Sequence, residues 1–207
     1  MFLNDLGQPL ILNARKKYGP LEEHNGVLLL TSAAFEEHEV PTKWCAYIIG
    51  SGENMCRLRS KTDVKEIYKY CTQQVIVPNT PTEVHYDQTK ITLTPFPAGK
   101  SQDGISLNIY CIENGHTRAL ILDELSGCLD FMPKGSALFH RVLGEGIDIV
   151  YIDESLLGDN QPIYEDLYAF VQLIRPKHIY GLRENKLPKW LLDLCVQKDV
   201  YASPIEI

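Results

Sequence analysis

Apolar and polar positions follow two rhythms along this chain. GVLLLT, Gly26–Thr31, is a continuous apolar run, the pattern of a strand buried on both faces. The segment from Pro41 to Ile49 predicts a helix, with Pro41 in its first turn and Gly50 ending it. MCRLRS, residues 55–60, reads as a short strand. TDVKEIYKYCTQQ, residues 62–74, reads as a helix capped by Thr62, with Val64, Ile67, Tyr68 and Cys71 at helical spacing.

Strand rhythm then takes over. TEVHYDQTKITLTPFP predicts two strands around a polar turn near Asp87-Gln88. Ile105–Ile112 and Arg118–Leu122 form the arms of a hairpin joined at Asn114-Gly115, a pair suited to a type I′ turn. IDIVYIDE is another buried strand, ending in acids. QPIYEDLYAFVQLIRP is an amphipathic helix stopped by Pro176, KHIYGL a strand, and LPKWLLDLCVQ a last helix opened by Pro188. Hairpins set between strand–helix units imply a layered α/β sandwich of two mostly mixed sheets, not a doubly wound parallel sheet.

The 207 residues suit a single domain, 1–207. A formal net charge of -7 argues against a protein that grips nucleic acid through bulk charge. Arg15-Lys16-Lys17 is a short basic cluster of the kind found on solvated turns. Cys45, Cys56, Cys71, Cys111, Cys128 and Cys195 include no CxxC pair and fit no zinc-ribbon spacing, so free thiols in a reducing compartment are expected. With no signal-peptide layout and no apolar window of membrane length, the expected location is the cytoplasm, away from membranes.

Gly99-Lys100-Ser101 ends like a phosphate-binding P-loop. The position of that motif's first glycine holds Thr94, however, and Pro95 and Pro97 remove backbone N–H groups from the would-be cradle. Asp103-Gly104 and a strand follow, where a P-loop needs a helix N-terminus.

ITLTPFPAGKS followed by IYCIENGHTRALILDELSG fits a different pattern, and it resembles the metallo-β-lactamase family. There a strand ends in a PAGHS or TPGHT turn whose His binds metal, and a hairpin follows; the PAGHS form is closest to the RNA-processing and nuclease branch. LLLTSAAFEEH, Leu28–His38, is similar to that family's His-x-His-x-Asp-His signature, matching its frame through Leu29, Leu30, Thr31, Ala33 and Phe35. The signature's ligand positions fall on Ser32, Ala34, Glu36 and Glu37; a one-residue shift puts Glu37 at the Asp and His38 at the last His. The His of the PAGH turn is Lys100, the bridging Asp maps onto Asp123 or Glu124, and the terminal His onto Leu182 or Arg183.

The resemblance implies a four-layer αβ/βα sandwich. Only 25 residues precede Gly26, where the family places several strands, so a shortened first half-sheet is expected. Because Ser32 and Ala34 cannot replace imidazoles and Lys100 would repel a metal, the resemblance implies a site without catalytic residues or cofactor. Lys100 would then serve as a counter-charge for Asp123 and Glu36–Glu37. The function so implied is a non-catalytic binding or scaffold module, with a protein partner or a second copy as its ligand. The alternative is a metal-dependent hydrolase with a rewired site, one zinc or other divalent ion being held by His38, Glu37 and Asp123. His24, His85, His116 and His140 share no spacing and are read as ordinary histidines.

Overall fold

The computed structural model describes residues 10–12, 26–31, 47–60, 72–86, 89–126, 137–157, 164–182, 187–197 and 201–202. Two sheets carry the fold. The first holds β1 (Leu10–Leu12), β2 (Val27–Leu30), β3 (Tyr47–Ser51) and β4 (Thr72–Ile76), in that order and all parallel. Between β3 and β4 lies helix α1 (Gly52–Ser60).

The second sheet begins with an antiparallel run: β5 (Thr82–Tyr86), β6 (Thr89–Lys100), β7 (Ser106–Glu113) and β8 (Arg118–Leu122). It continues parallel through β9 (Ile149–Ile152), β10 (His178–Gly181) and β11 (Tyr201–Ala202). Helices α2 (Ala137–Glu145), α3 (Tyr164–Ile174) and α4 (Lys189–Gln197) connect these parallel strands. The strand order β8-β9-β10-β11 advances in one direction, and right-handed crossovers then put all three helices on one face.

Alternation along the strands sorts side chains between two cores. Leu120, Leu122, Val150 and Ile152 point to the helices and meet Phe139, Val142, Leu167, Phe170 and Leu191. Ala119, Ile121, Ile149 and Tyr151 point the other way and meet Val27, Leu29, Ile49 and Ile76 of the first sheet. Beyond the first sheet, Met55 and Leu58 of α1 are buried, and a Cβ on Gly50 would touch Leu30 and Met55, so α1 covers the outer face. The layers therefore run helix, sheet, sheet, helix.

Four expectations change. Residues 47–49 of the expected Pro41–Ile49 helix are strand: YIIG is paired on both sides, with β2 and β4, and Ile48 and Ile49, on opposite faces of the sheet, are both fully buried; residues 41–46 lie outside the described residues. MCRLRS belongs to α1, not to a strand. Met55 and Leu58 stand three apart and share the buried side, the Ser51 hydroxyl accepts from the Asn54 N–H at 3.1 Å as an N-cap, and Glu53 and Arg57/Arg59 complement the helix dipole. The helix expected over 62–74 gives way to strand at Thr72–Ile76; residues 62–71 lie outside the described residues. The first sheet is wholly parallel instead of mixed, with β1 supplying a strand ahead of β2. The 26–31, 105–112, 118–122 and 148–152 strands, and the helices closed by Pro176 and opened by Pro188, stand as expected.

The hairpin turn also differs from a two-residue type I′ turn. Glu113 pairs with Arg118, so four residues connect the arms, and of Asn114 and Gly115 only Gly115 has positive φ, at 89°. The Asn114 side-chain oxygen accepts from the N–H groups of His116 and Thr117, a local turn that replaces the second left-handed residue.

Candidate functional site at the strand carboxyl ends

Parallel strands bring their carboxyl ends to one edge of a sheet, the usual position of ligand sites in α/β folds. A hydrogen bond between the sheets shows that both share this edge: Thr31 Oγ1, just past β2, donates to Asp123 Oδ2, just past β8, at 2.6 Å. Both residues are buried. Buried polar side chains gather here. Thr31, Ser51, Asn54, Asn108, Asp123 and Asp153 all lie at this edge, and Thr94 is the other buried polar residue described.

Backbone geometry builds the walls. The PAGK segment ends β6 with a bulge between Pro97 and Lys100, and Gly99 adopts φ 100°. A Cβ on Gly99 would land on the Ser126 carbonyl oxygen, and the Ser126 N–H donates to the Ala98 carbonyl at 2.8 Å. The glycine thus lets the turn dock against the 123–126 loop. After Lys100 the chain folds through a tight loop, with Gly104 N–H donating to the Ser101 carbonyl at 2.9 Å, and enters β7. No helix follows, in agreement with the rejection of a P-loop. On the opposite wall, the Glu53 carboxylate of α1 accepts from Ser106 N–H at 2.7 Å and from Ser106 Oγ at 3.3 Å, tying the two sheets together.

A polar network lies between these walls. The Leu30 carbonyl accepts from Asn54 Nδ2 at 3.0 Å and from Tyr110 Oη at 3.3 Å. The Asn108 amide bonds the Tyr110 hydroxyl. Burial, and secondarily the Asp123 carboxylate, push that hydroxyl's pKa well above its ordinary value, so Tyr110 stays a donor. Asp153 caps the next turn, its Oδ1 accepting from the Ser155 N–H at 2.9 Å.

The positions named by sequence divide. Asp123 is buried in the network, and Glu124 beside it is half-buried. Leu182, one of the two positions matched to a terminal His, lies past β10 in the inter-sheet core. Lys100 sits at the rim, exposed, and forms no ion pair among the described residues; its expected pairing with Asp123 is not made, because the bulge turns it outward to solvent while Thr31 satisfies one Asp123 oxygen by hydrogen bonding. Ser32, Ala34, Glu36, Glu37, His38 and Arg183 lie outside the described residues. Sequence reasoning misses Asn54 because its helix reads as a strand. It also misses Asn108, whose signal is a polar residue at an inward position of the apolar run SLNIYCIE.

No protein-family model matches the sequence, and no curated protein matches it. Solved structures do match. A metallo hydrolase from the archaeon Ignicoccus hospitalis aligns with TM-score 0.57 at 12% identity, covering 87% of this chain and 76% of that one. The metallo-β-lactamase-fold protein YhfI of Bacillus subtilis aligns with TM-score 0.54 at 12% identity, over 95% and 84% of the two chains. Zn2+-bound PqqB of Methylobacterium extorquens aligns with TM-score 0.58 at 11% identity, over 98% and 83%.

The fold is the metallo-β-lactamase fold. Its solved examples include metal-dependent hydrolases. The expectation of no cofactor is therefore corrected: proteins of this fold that superpose on the chain are metal-binding, one of them with Zn2+ bound. Among the described residues no three His, Cys, Asp or Glu side chains come together. Of the described residues, Asp123 offers a buried carboxylate, a donor of the type that a metal site uses. No helix among the described residues is long and apolar enough to cross a membrane.

Proposed function

We propose that this chain is a metal-dependent hydrolase of the metallo-β-lactamase fold with a reduced site, in which Asp123 holds a single divalent ion together with Glu37 and His38. The observation that carries the proposal is the Thr31–Asp123 hydrogen bond, which fixes a buried carboxylate at the edge where the two sheets meet. A divalent ion there would supply a water acidic enough to attack at neutral pH. The chain's own contributions are simpler. Thr31 orients the Asp123 carboxylate, the Gly99 turn closes one wall, and Glu53 with Ser106 closes the other. Neither Cys56 nor Cys111 is in a disulfide, which fits the proposed cytoplasmic setting.

Metal analysis of protein purified without chelator tests the proposal. About one zinc, iron or manganese ion per chain is expected, falling several-fold in Asp123→Asn and in His38→Ala. Protein that stays metal-free after loading with each of these ions would overturn it and favour a non-catalytic binding module on the same fold.

A further inference from the structure

The network behind the site uses its donor groups and leaves acceptors over. Thr31 gives its hydroxyl to Asp123, Asn54 Nδ2 and Tyr110 Oη both serve the Leu30 carbonyl, and the Asn108 amide serves Tyr110. The leftover atoms are Asn54 Oδ1 and Asn108 Oδ1. Both are buried and receive no hydrogen bond from the described residues, in residues only 3% and 4% exposed. Buried polar atoms are almost always partnered, so two orphan acceptors in one network need an account.

Their positions supply one. Asn108 shares the inter-sheet side of β7 with Tyr110, and the β7–β8 register that pairs Tyr110 with Ile121 brings Asn108 opposite Asp123 when continued by two residues. Asn54 stands in the first turn of α1, bonded to the last carbonyl of β2, one residue before Thr31. The surplus is therefore two carbonyl oxygens in the polar network that includes Thr31 and Asp123. Phosphate or carboxylate would bring only further acceptors to these two oxygens. A group bearing N–H donors would satisfy it.

We infer that Asn54 and Asn108 recognise the substrate, and that they select an N–H-rich group such as an amidine, guanidine or amide over a phosphate or carboxylate. This specificity rests on the proposed hydrolase site, because it assigns the wall beside Asp123.

Three probes decide it: acetamidine, acetamide and inorganic phosphate, titrated into the full chain and followed by NMR shifts of the Asn side-chain amides. Acetamidine should shift these amides in the millimolar range, acetamide more weakly, and phosphate should leave them unshifted. Asn108→Leu and Asn54→Leu, on separate elements, should each weaken acetamidine at least tenfold with the metal content unchanged. Phosphate shifting these amides as acetamidine does, acetamidine binding equal in wild type and both variants, or no probe binding would each overturn the inference. Metal content of the same samples separates the two ideas. Metal-loaded protein that ignores acetamidine refutes the specificity alone, while metal-free protein that binds it, with binding lost in the variants, refutes the hydrolase proposal alone.

Discussion

The two ends of the sandwich handle polar groups in opposite ways. At the strand carboxyl ends most polar side chains are short, buried and uncharged, and the Thr31–Asp123 hydrogen bond joins the two sheets there. At the amino ends of β8–β10 they are long, charged and partly exposed. Arg118 bonds Glu113 at 2.6 Å and the Gly146 carbonyl at 2.9 Å, and Lys177 pairs with Asp148 at 2.6 Å. Water can replace a lost partner at the charged end but not at the buried one. The charged end therefore tolerates change, and the buried end holds atoms that only one geometry satisfies.

Each end also has a positive-φ glycine, and these give the largest contrast. Gly99→Ala places a Cβ on the Ser126 carbonyl as well as straining the backbone. It should cost about 3 kcal/mol or more, read as a collapse of the melting temperature or failure to fold. At the far end, a Cβ on Gly115 would meet nothing within 4 Å, so Gly115→Ala should cost only the backbone strain, about 1 kcal/mol. Equal losses in the two variants would break the contrast.

Thr31→Val is next in size. It keeps the shape and strips the donor from a buried carboxylate, for an expected loss of about 1–3 kcal/mol in denaturant unfolding at neutral pH. Arg118→Met removes more hydrogen bonds but from groups that water reaches, and should cost about 1–2 kcal/mol. A larger loss for Arg118→Met than for Thr31→Val would reverse the ranking of the two ends.

Lys177→Ala should be the smallest, about 0.5 kcal/mol or less at neutral pH. Burial works against the Asp148 charge, but Lys177 and the Arg118 backbone N–H outweigh it and hold its pKa below the ordinary carboxylate value. A depressed folded pKa stabilises above the unfolded value of about 4 and is lost as pH falls through the lower folded value. Stability curves of wild type and Lys177→Ala should therefore converge on the acid side and at high salt. A difference that grows below the carboxylate range would show that another group carries the effect.

Much of the fold was legible in the chain. VLLL, ALIL and IVYI are apolar without interruption, the pattern of strands buried on both faces. The ITLTPFPAGKS run and its following hairpin pointed to the metallo-β-lactamase fold by their resemblance to that family's turn and hairpin, and the fold agrees. Elements in the first sheet were less legible. YIIG and MCRLRS are short, and in short apolar segments a helix and a strand share the same pattern, so pairing with β2 and β4 decided the first and capping by Ser51 the second.

The site divides along the same line. The sequence by itself determined that Asp123 follows a buried strand, and that neither position matched to the terminal His, Leu182 or Arg183, is a histidine. Only the tertiary structure decided that Thr31 would meet Asp123 across 92 positions, that Lys100 would face solvent, and that Asn54 and Asn108 would share one network with two carbonyl oxygens unanswered. The physical reason is range. Periodicity and turn chemistry act within a few residues, whereas burial of a polar atom and the partner it finds depend on which distant strands end at the same edge.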